Sequence, residues 1–187
     1  MRISLKIIFL IGVSVFILPW KAHSAGPLDP VKLGSWTVNI GIGPGSTYFG
    51  NGSGFGPAEK VSFETGQWDA GPGIITLGGE FTLSTFWHTY NPGHHETWTN
   101  FFFAARSAYH YGWDVEGLDT YGGIPLGIAF CAHTWDAKGG SSGYTPVYPY
   151  FGFFFGASYF FTRKFGVNGE VGFNSTHANM GVIFRLK

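Results

Sequence analysis

Large apolar side chains recur at every second position along most of this chain, from about residue 34 to the end. The segment FGVNGEVGF (165–173) shows the pattern, with phenylalanine and valine in one phase and glycine, asparagine and glutamate in the other. A period of two is typical of a β-strand, because successive side chains of a strand point to opposite faces of its sheet. Apolar residues do not recur at helical spacing in this part of the chain. The sequence therefore predicts an all-β fold.

The alternation divides the chain into eight predicted strands. They cover 34–43, 61–68, 74–85, 100–111, 118–132, 150–161, 165–173 and 179–187. Most are close to the roughly 9–11 residues that a tilted strand needs to cross a bilayer. This division leaves no long strand ends that would project beyond a membrane.

The connections between these strands differ in length. Short turns rich in Gly, Pro, Asp or charged residues are predicted at 69–73, 112–117 and 162–164, and the last connection, NSTH (174–177), is also short. Longer loops are predicted at 44–60, 86–97 and 133–147. Short turns at one end and longer loops at the other are the layout of an outer-membrane barrel.

Composition indicates which phase of each strand faces outward. Only 12% of the residues are charged, against roughly 25% in an ordinary soluble domain. The polar phase is mostly glycine, alanine, serine and threonine, which suits the narrow lumen of an eight-stranded barrel. Phenylalanine and valine suit lipid. We therefore predict an eight-stranded antiparallel up-and-down transmembrane β-barrel, and the formal net charge of zero argues against nucleic-acid binding.

The first 25 residues have the order of a secretory signal peptide. Positive charges at Arg2 and Lys6 precede or border an apolar run over 7–18, and small residues follow Pro19. Cleavage is expected after Ser24 or Ala25, which leaves 26–187 as the mature barrel. A retained membrane helix is the alternative, but it needs about 20 apolar residues, and this run is shorter.

The predicted inward phase carries a small set of charges. Its acidic members are Glu64, Glu80, Asp119 and Glu170, its basic members are Arg106 and Arg185, and His110 is a further candidate. A carboxylate in a low-dielectric lumen is tolerated when a guanidinium group bonds to it. We expect the two arginines to bridge the carboxylates in a network that fixes strand register and plugs the lumen. A proton or ion path is the alternative role.

Several segments of the chain resemble one protein family. They are PAEKVSFETGQW, IITLGGEFTLS, FFFAARSAYHY, LDTYGGIPLGIAF, FFGASYFFTRKFGVNGEVGF and ANMGVIFRLK, in this order over about 57–187. This series is similar to the small outer-membrane protein β-barrel family that includes outer membrane protein X. The resemblance implies an eight-stranded barrel in the bacterial outer membrane, without a cofactor and usually without catalysis.

The same resemblance implies partners and roles. The partners are the lipid bilayer, lipopolysaccharide, the barrel-insertion machinery and an extracellular ligand of the loops. The roles are adhesion, surface protection and envelope integrity.

Two other functional classes compete with this interpretation. A lipid A-modifying enzyme is suggested by Ser175 and His177, which are close enough in sequence for a nucleophile and its base, although no orienting carboxylate is identifiable. A soluble exported ligand-binding barrel would instead point its phenylalanines into a central cavity.

A metal site is a further alternative. The potential ligands are His88, His94, His95, Glu96 and His133. Imidazole and carboxylate groups can bind zinc or copper, but no predicted strand holds these residues at a defined spacing. We therefore expect solvated loop residues, with neither metal nor cofactor.

Overall fold

The computed structural model describes residues 31–45, 56–91, 94–137 and 140–187. The predicted signal peptide and its cleavage site lie outside these residues. Within the described part of the chain, no helix is long and apolar enough to span a membrane.

Ten β-strands, all antiparallel to their neighbours, make up the fold. They are β1 (Trp36–Pro44), β2 (Pro57–Ala70), β3 (Gly73–Asn91), β4 (His94–Gly112), β5 (Leu118–Ala137), β6 (Gly140–Tyr144), β7 (Val147–Phe151), β8 (Phe153–Phe160), β9 (Phe165–Phe173) and β10 (Ala178–Arg185). Each strand pairs with the next along the chain, except that β6, β7 and β8 all pair with β5.

Strands β6, β7 and β8 form one continuous barrel strand. The pairs His133↔Tyr144, Phe130↔Val147 and Gly123↔Phe154 keep a single register against β5. The first interruption contains Pro146, and the second lies at Gly152, whose N–H bonds to the carbonyl of Pro125. Proline has no N–H to donate to a ladder, so the pairing weakens at these points without a change of register. The barrel therefore has eight strands.

The first and last strands close the barrel. Strand β1 pairs with β10 from Thr37↔Arg185 to Ile42↔Met180. Closure satisfies the backbone groups that an open sheet edge would leave unpaired. Two of the short turns contain a glycine with positive φ, Gly71 at 65° and Gly117 at 81°, a conformation that costs other residues energy.

The apolar phase of every strand faces outward, as predicted. Phe151, Phe153 and Phe155 are 60%, 51% and 61% exposed, whereas Phe154, in the opposite phase, is fully buried. Charged residues of the opposite phase, including Glu80 and Arg106, are buried inside the barrel. Exposed apolar side chains on a closed wall match the acyl chains of a bilayer. The alternative of a soluble barrel with an apolar centre is therefore wrong.

Two predicted loops are wrong, because they are extended strands. Strand β3 continues to Asn91 and β4 begins at His94, while β5 continues to Ala137 and β6 begins at Gly140. The prediction placed loops at 86–97 and 133–147 because Gly, Ser, Pro, His and Thr are frequent there. Backbone hydrogen bonds continue the ladder through these segments, in pairs such as Phe86↔Trp98 and Glu96↔Trp135.

The extended strands also correct the expectation that no strand ends project from the barrel. Strands β3, β4 and β5 contain 19, 19 and 20 residues, about twice the length needed to cross a bilayer. Strands β9 and β10 contain only 9 and 8 residues. The third predicted loop is partly wrong as well, because Pro57–Lys60 belongs to β2.

Candidate functional site

A group of buried ionisable side chains occupies the barrel lumen, and we call it the lumen cluster. Its members are Lys60, Glu64, Glu80, Arg106, His110, Asp119 and Glu170. They come from β2, β3, β4, β5 and β9. None is more than 5% exposed. Alternation places them inside, because each lies in the phase opposite to the lipid-facing side chains.

Arg106 lies at the centre of the lumen cluster. Its Nη1 is 3.1 Å from Glu80 Oε2, its Nη2 is 3.0 Å from Glu170 Oε2, and its Nε donates to Glu64 Oε1. The guanidinium carbon lies 3.9 Å from the ring centroid of Phe154. Three carboxylates and an aromatic face thus surround one cation. A planar guanidinium group can bond in several directions at once, which explains why arginine suits this position.

Lys60 is the second cation of the lumen cluster. Its Nζ lies 3.1 Å from Glu80 Oε2 and also donates to Glu170 Oε1. Lys60 is not among the predicted members of the cluster, because the sequence predicts a loop over 44–60. The signal that could have identified it is the alternation itself, since Ala58, Lys60, Ser62 and Glu64 share one phase of β2.

His110 links two carboxylates at the end of the cluster nearer the short turns. Its Nδ1 is 2.8 Å from Asp119 Oδ2, and its Nε2 is 2.8 Å from Glu64 Oε2. Both ring nitrogens therefore face oxygens that can only accept when ionised, an arrangement that favours the doubly protonated imidazolium. The ring stacks on Tyr121, with the centroids 4.9 Å apart.

Tyr150 extends the hydrogen-bond network from the lumen cluster toward the long hairpins. Its hydroxyl donates to Glu80 Oε1 at 3.0 Å and accepts from the backbone N–H of Ser175 at 2.8 Å. The Ser175 hydroxyl is in turn 2.8 Å from that of Thr82. The charged core is therefore continuous with a neutral polar layer above it.

Arg185 does not take the position in the cluster that the sequence predicted. It lies at the end of β10, where its Nε donates to the carbonyl of Arg163 at 2.7 Å. Its guanidinium carbon is 5.6 Å from the ring centroid of Phe160. The prediction was wrong because the phase of a residue in its strand determines whether its side chain faces the lumen, but not its position along the barrel axis. Thr37, its β1 partner, is only the second residue of that strand.

The balance of charge in the lumen cluster is negative. Four carboxylates face the two permanent cations Lys60 and Arg106, and a protonated His110 leaves one negative charge in excess. Burying charge is costly unless every ion is paired and hydrogen-bonded. Neutral hydroxyl donors stabilise the excess negative charge by hydrogen bonds, as from Tyr150 to Glu80 and from Thr76 to Glu64. The cluster is therefore suited to holding strands together at fixed register.

The residues of the possible lipid A enzyme do not meet. Ser175 is fully buried, and its hydroxyl contacts Thr82. His177 is exposed. No hydrogen bond joins the two among the described residues, whereas a serine nucleophile needs its base within about 2.6–3.2 Å.

The possible metal ligands lie only partly within the described structure. The side chains of His88, His94 and His95 fall outside it. His133 Nε2 is 3.5 Å from Glu96 Oε2, and its ring stacks on Trp98 at 4.7 Å. Within the described part of the chain, no three His, Cys, Asp or Glu side chains are arranged to hold a metal ion.

Comparison with known proteins bears on the fold. No family model matches the chain, and no curated protein matches it. The crystal structure of Ail, the attachment invasion locus protein of Yersinia pestis, is similar over 82% of this chain and 96% of that one, with a TM-score of 0.51 and 9% identity.

This is the fold of an eight-stranded outer-membrane β-barrel. The N-terminal β-barrel domain of Pseudomonas aeruginosa OprF gives a TM-score of 0.47 at 16% identity, over 82% of this chain and 98% of that one. The closed wall and its apolar exterior assign the chain to the bacterial outer membrane. In such barrels the short turns face the periplasm and the longer connections face outward. The β3–β4 and β5–β6 hairpins lie at the end of the barrel opposite the short β2–β3, β4–β5 and β8–β9 turns.

Proposed function

We propose that this chain is a non-enzymatic integral outer-membrane protein whose plugged lumen supports surface-exposed hairpins. Its role is in envelope integrity or in surface interaction and adhesion. The observation that supports this most strongly is the lumen cluster, which joins distant parts of the wall by direct ion pairs. An open pore requires a water-filled lumen, whereas these side chains meet one another across it.

The ion pairs span the lumen rather than running along one wall. Arg106 is on β4 and Glu170 on β9, which are the fourth and seventh strands of the eight-strand ring. Tyr150 on β7 reaches Glu80 on β3, again three barrel strands away. Large aromatic side chains, Phe154 and Tyr121, fill the space beside them. We infer that no steady ion path passes through this layer.

The long hairpins are the part of the barrel best placed to touch a partner. At a rise of about 3.3 Å per residue, and allowing for tilt, the excess length of β3 and β4 projects on the order of 20 Å. Where these strands leave the apolar band, the outward phase carries Thr85, Thr97 and Thr99 together with one exposed tryptophan, Trp87. This change from phenylalanine to threonine suits a ladder that enters water. The hairpins thus present an extended surface to lipopolysaccharide or to an extracellular ligand.

Export and assembly complete the proposal. Residues 1–25 act as a signal peptide that is removed after Ser24 or Ala25, and the barrel-insertion machinery then folds the mature chain into the membrane. Mass measurement of the protein purified from outer membranes tests the cleavage. A mass that includes the first 25 residues would contradict it.

Planar-bilayer recording of the purified barrel tests the plugged lumen. We expect no steady conductance from the folded protein, identified by its heat-modifiable migration on gels. A large and stable conductance would replace this proposal with a porin-like function.

Shortening one hairpin tests the surface role. Trp87 and Thr97 are paired across the β3–β4 ladder, so they can be rejoined through a two-residue Asn-Gly turn. The matched control keeps the full length of β3 and β4 and places the same Asn-Gly pair between Asn91 and His94. We expect the shortened protein to insert normally but to lose cell attachment or detergent resistance. Unchanged attachment and resistance in the shortened protein would contradict the surface role.

A further inference from the structure

The periplasmic end of the barrel carries a localised cluster of positive charge, which we call the basic corner. It consists of Arg163 and Lys164 in the β8–β9 turn, Arg185 at the end of β10, and Lys187 two residues beyond it. Arg163, Lys164 and Lys187 are exposed. The flanking segments 161–164 and 184–187 contain no acidic residue.

Backbone pairing holds the basic corner together. The N–H of Arg185 donates to the carbonyl of Lys164 at 2.9 Å, and Arg185 Nε donates to the carbonyl of Arg163 at 2.7 Å. The carbonyl of Lys187 accepts from the N–H of Trp36 at 3.1 Å. The turn itself is ordered by the Thr162 hydroxyl, which accepts the N–H groups of Lys164 and Phe165. The charges are therefore concentrated by the fold.

Three of these cations have no carboxylate side chain beside them in the described part of the chain. Among the described residues, Arg163, Lys164 and Lys187 form no ion pair. Acidic residues lie at the other two short turns, with Asp69 near the end of β2 and with Asp114 and Glu116 between β4 and β5. Lys32, ahead of β1, is at the same end of the barrel but lines a cavity together with Asp69. Of the three short turns at this end, the β8–β9 turn is thus the one with a net positive charge.

An exposed aromatic strip lies on the lipid-facing wall beside the basic corner. It consists of Tyr159, Phe161, Phe165 and Phe184, which are 43%, 58%, 37% and 37% exposed. Successive ring centroids along this strip are 5.3, 6.3 and 5.4 Å apart. Aromatic side chains favour the membrane–water interface. Cations and an apolar strip therefore adjoin at the height of the phospholipid headgroups.

We propose that the basic corner and the aromatic strip form a binding site for an anionic glycerophospholipid of the periplasmic leaflet. The phosphate and its acidic headgroup contact Arg163, Lys164 and Lys187, and the acyl chains lie along the strip. A soluble anionic polymer would contact the cations but would make no apolar contact with the adjoining aromatic strip. The site is independent of any ligand that the extracellular hairpins bind.

Lipid retention measured by native mass spectrometry tests this site on the purified barrel. The probes are dioleoyl phosphatidylglycerol and dioleoyl phosphatidylcholine, which share acyl chains and differ in headgroup charge. We expect phosphatidylglycerol to be retained preferentially. R163Q/K164Q should weaken its binding by about fivefold for each charge removed, the effect expected of a basic residue at an anionic surface. Equal retention of the two lipids by the unaltered barrel would overturn the proposal.

Two controls separate local binding from general effects. The first control is D114N/E116Q, which removes two negative charges from the neighbouring turn. We expect this variant to keep the same preference for phosphatidylglycerol. If it instead bound phosphatidylglycerol more tightly, by a factor as large as the loss in R163Q/K164Q, overall charge would explain the binding and the proposal would be overturned. Glycerol phosphate, which lacks acyl chains, should compete poorly, and competition equal to that of the intact lipid would assign the corner to soluble anions. Heat-modifiable migration verifies that each variant is folded.

Discussion

Arg106 and Glu170 meet across the lumen, with Nη2 of the arginine 3.0 Å from Oε2 of the glutamate, although their strands are three apart in the ring. Both side chains are at most 2% exposed. Such a contact couples the position of β4 to that of β9 without passing through the strands between them. The registers of β4 and β9 are therefore coupled directly by side chains, in addition to the backbone hydrogen bonds that run through the strands between them.

Removing the central cation should strongly destabilise the barrel. Arg106→Gln leaves Glu64, Glu80 and Glu170 without the guanidinium group they share, and the loss of one partner from a buried ion pair costs about 3–5 kcal/mol. We expect that decrease in the free energy of unfolding, measured by urea titration in lipid vesicles. Arg185→Gln, outside the cluster, is the matched control and should cost under about 1 kcal/mol. Equal losses in the two variants would contradict the central role of Arg106.

Lys60 and Glu170 should be energetically coupled. Each contacts the other and both contact further members of the cluster, so single substitutions leave buried charges unpaired. In a cycle of Lys60→Met, Glu170→Gln and the double variant, we expect a coupling energy of about 1–3 kcal/mol. Additive free-energy changes would show that the two residues act independently.

Loss of the Tyr150 hydroxyl should destabilise the layer above the cluster. Tyr150→Phe removes a donor to Glu80 and an acceptor for the N–H of Ser175. A buried group left without its partner costs about 1–3 kcal/mol, to be measured by the same titration. Tyr159→Phe, on the exposed outer face, is the control and should have little effect. A similar cost for both would indicate that the hydroxyl of Tyr150 is not important to stability.

Inward glycines should tolerate alanine less well than outward ones. A Cβ at Gly127 would overlap the carbonyl oxygen of Phe103, whereas one at Gly169 would have only the carbonyl oxygen of Asn179 nearby, at 4.0 Å. We expect Gly127→Ala to reduce the fraction of protein with folded gel migration, and Gly169→Ala to match the unaltered protein. Normal folding of both would mean that the wall can shift to admit the extra methyl group.

Removing bulk from the lumen should open a path for ions. Replacing Lys60, Arg106 and Tyr150 together with alanine deletes side chains that reach across the barrel. Where this variant still inserts, we expect measurable single-channel openings in planar bilayers, against none for the unaltered protein. If the folded triple variant also shows no channel openings, other lumen residues close the path.

The sequence by itself determined the strand type, the number of barrel strands and the face that meets lipid. These properties depend on a local period: Phe151, Phe153 and Phe155 must share one side of the wall wherever the strand lies. The prediction of β9 at 165–173 matches its observed bounds, because bulky apolar positions alternate there with small or polar ones, Gly169 being the one small residue in the outward phase. Burial of Glu64, Glu80, Arg106, His110, Asp119 and Glu170 inside the wall follows from the same alternation.

Tertiary structure decided the heights of the residues along the barrel and the lengths of the hairpins. Lys60 joins the lumen cluster and Arg185 does not, because strand stagger, which is set by backbone pairing between distant segments, determines which inward side chains share a level. The long ladders β3–β4 and β5–β6 likewise continue through segments rich in Gly, Ser, His and Thr that the sequence predicts as loops. These ladders are held by backbone hydrogen bonds between strands. The length of a strand therefore depends on how far its partner extends, which the sequence of that strand alone does not determine.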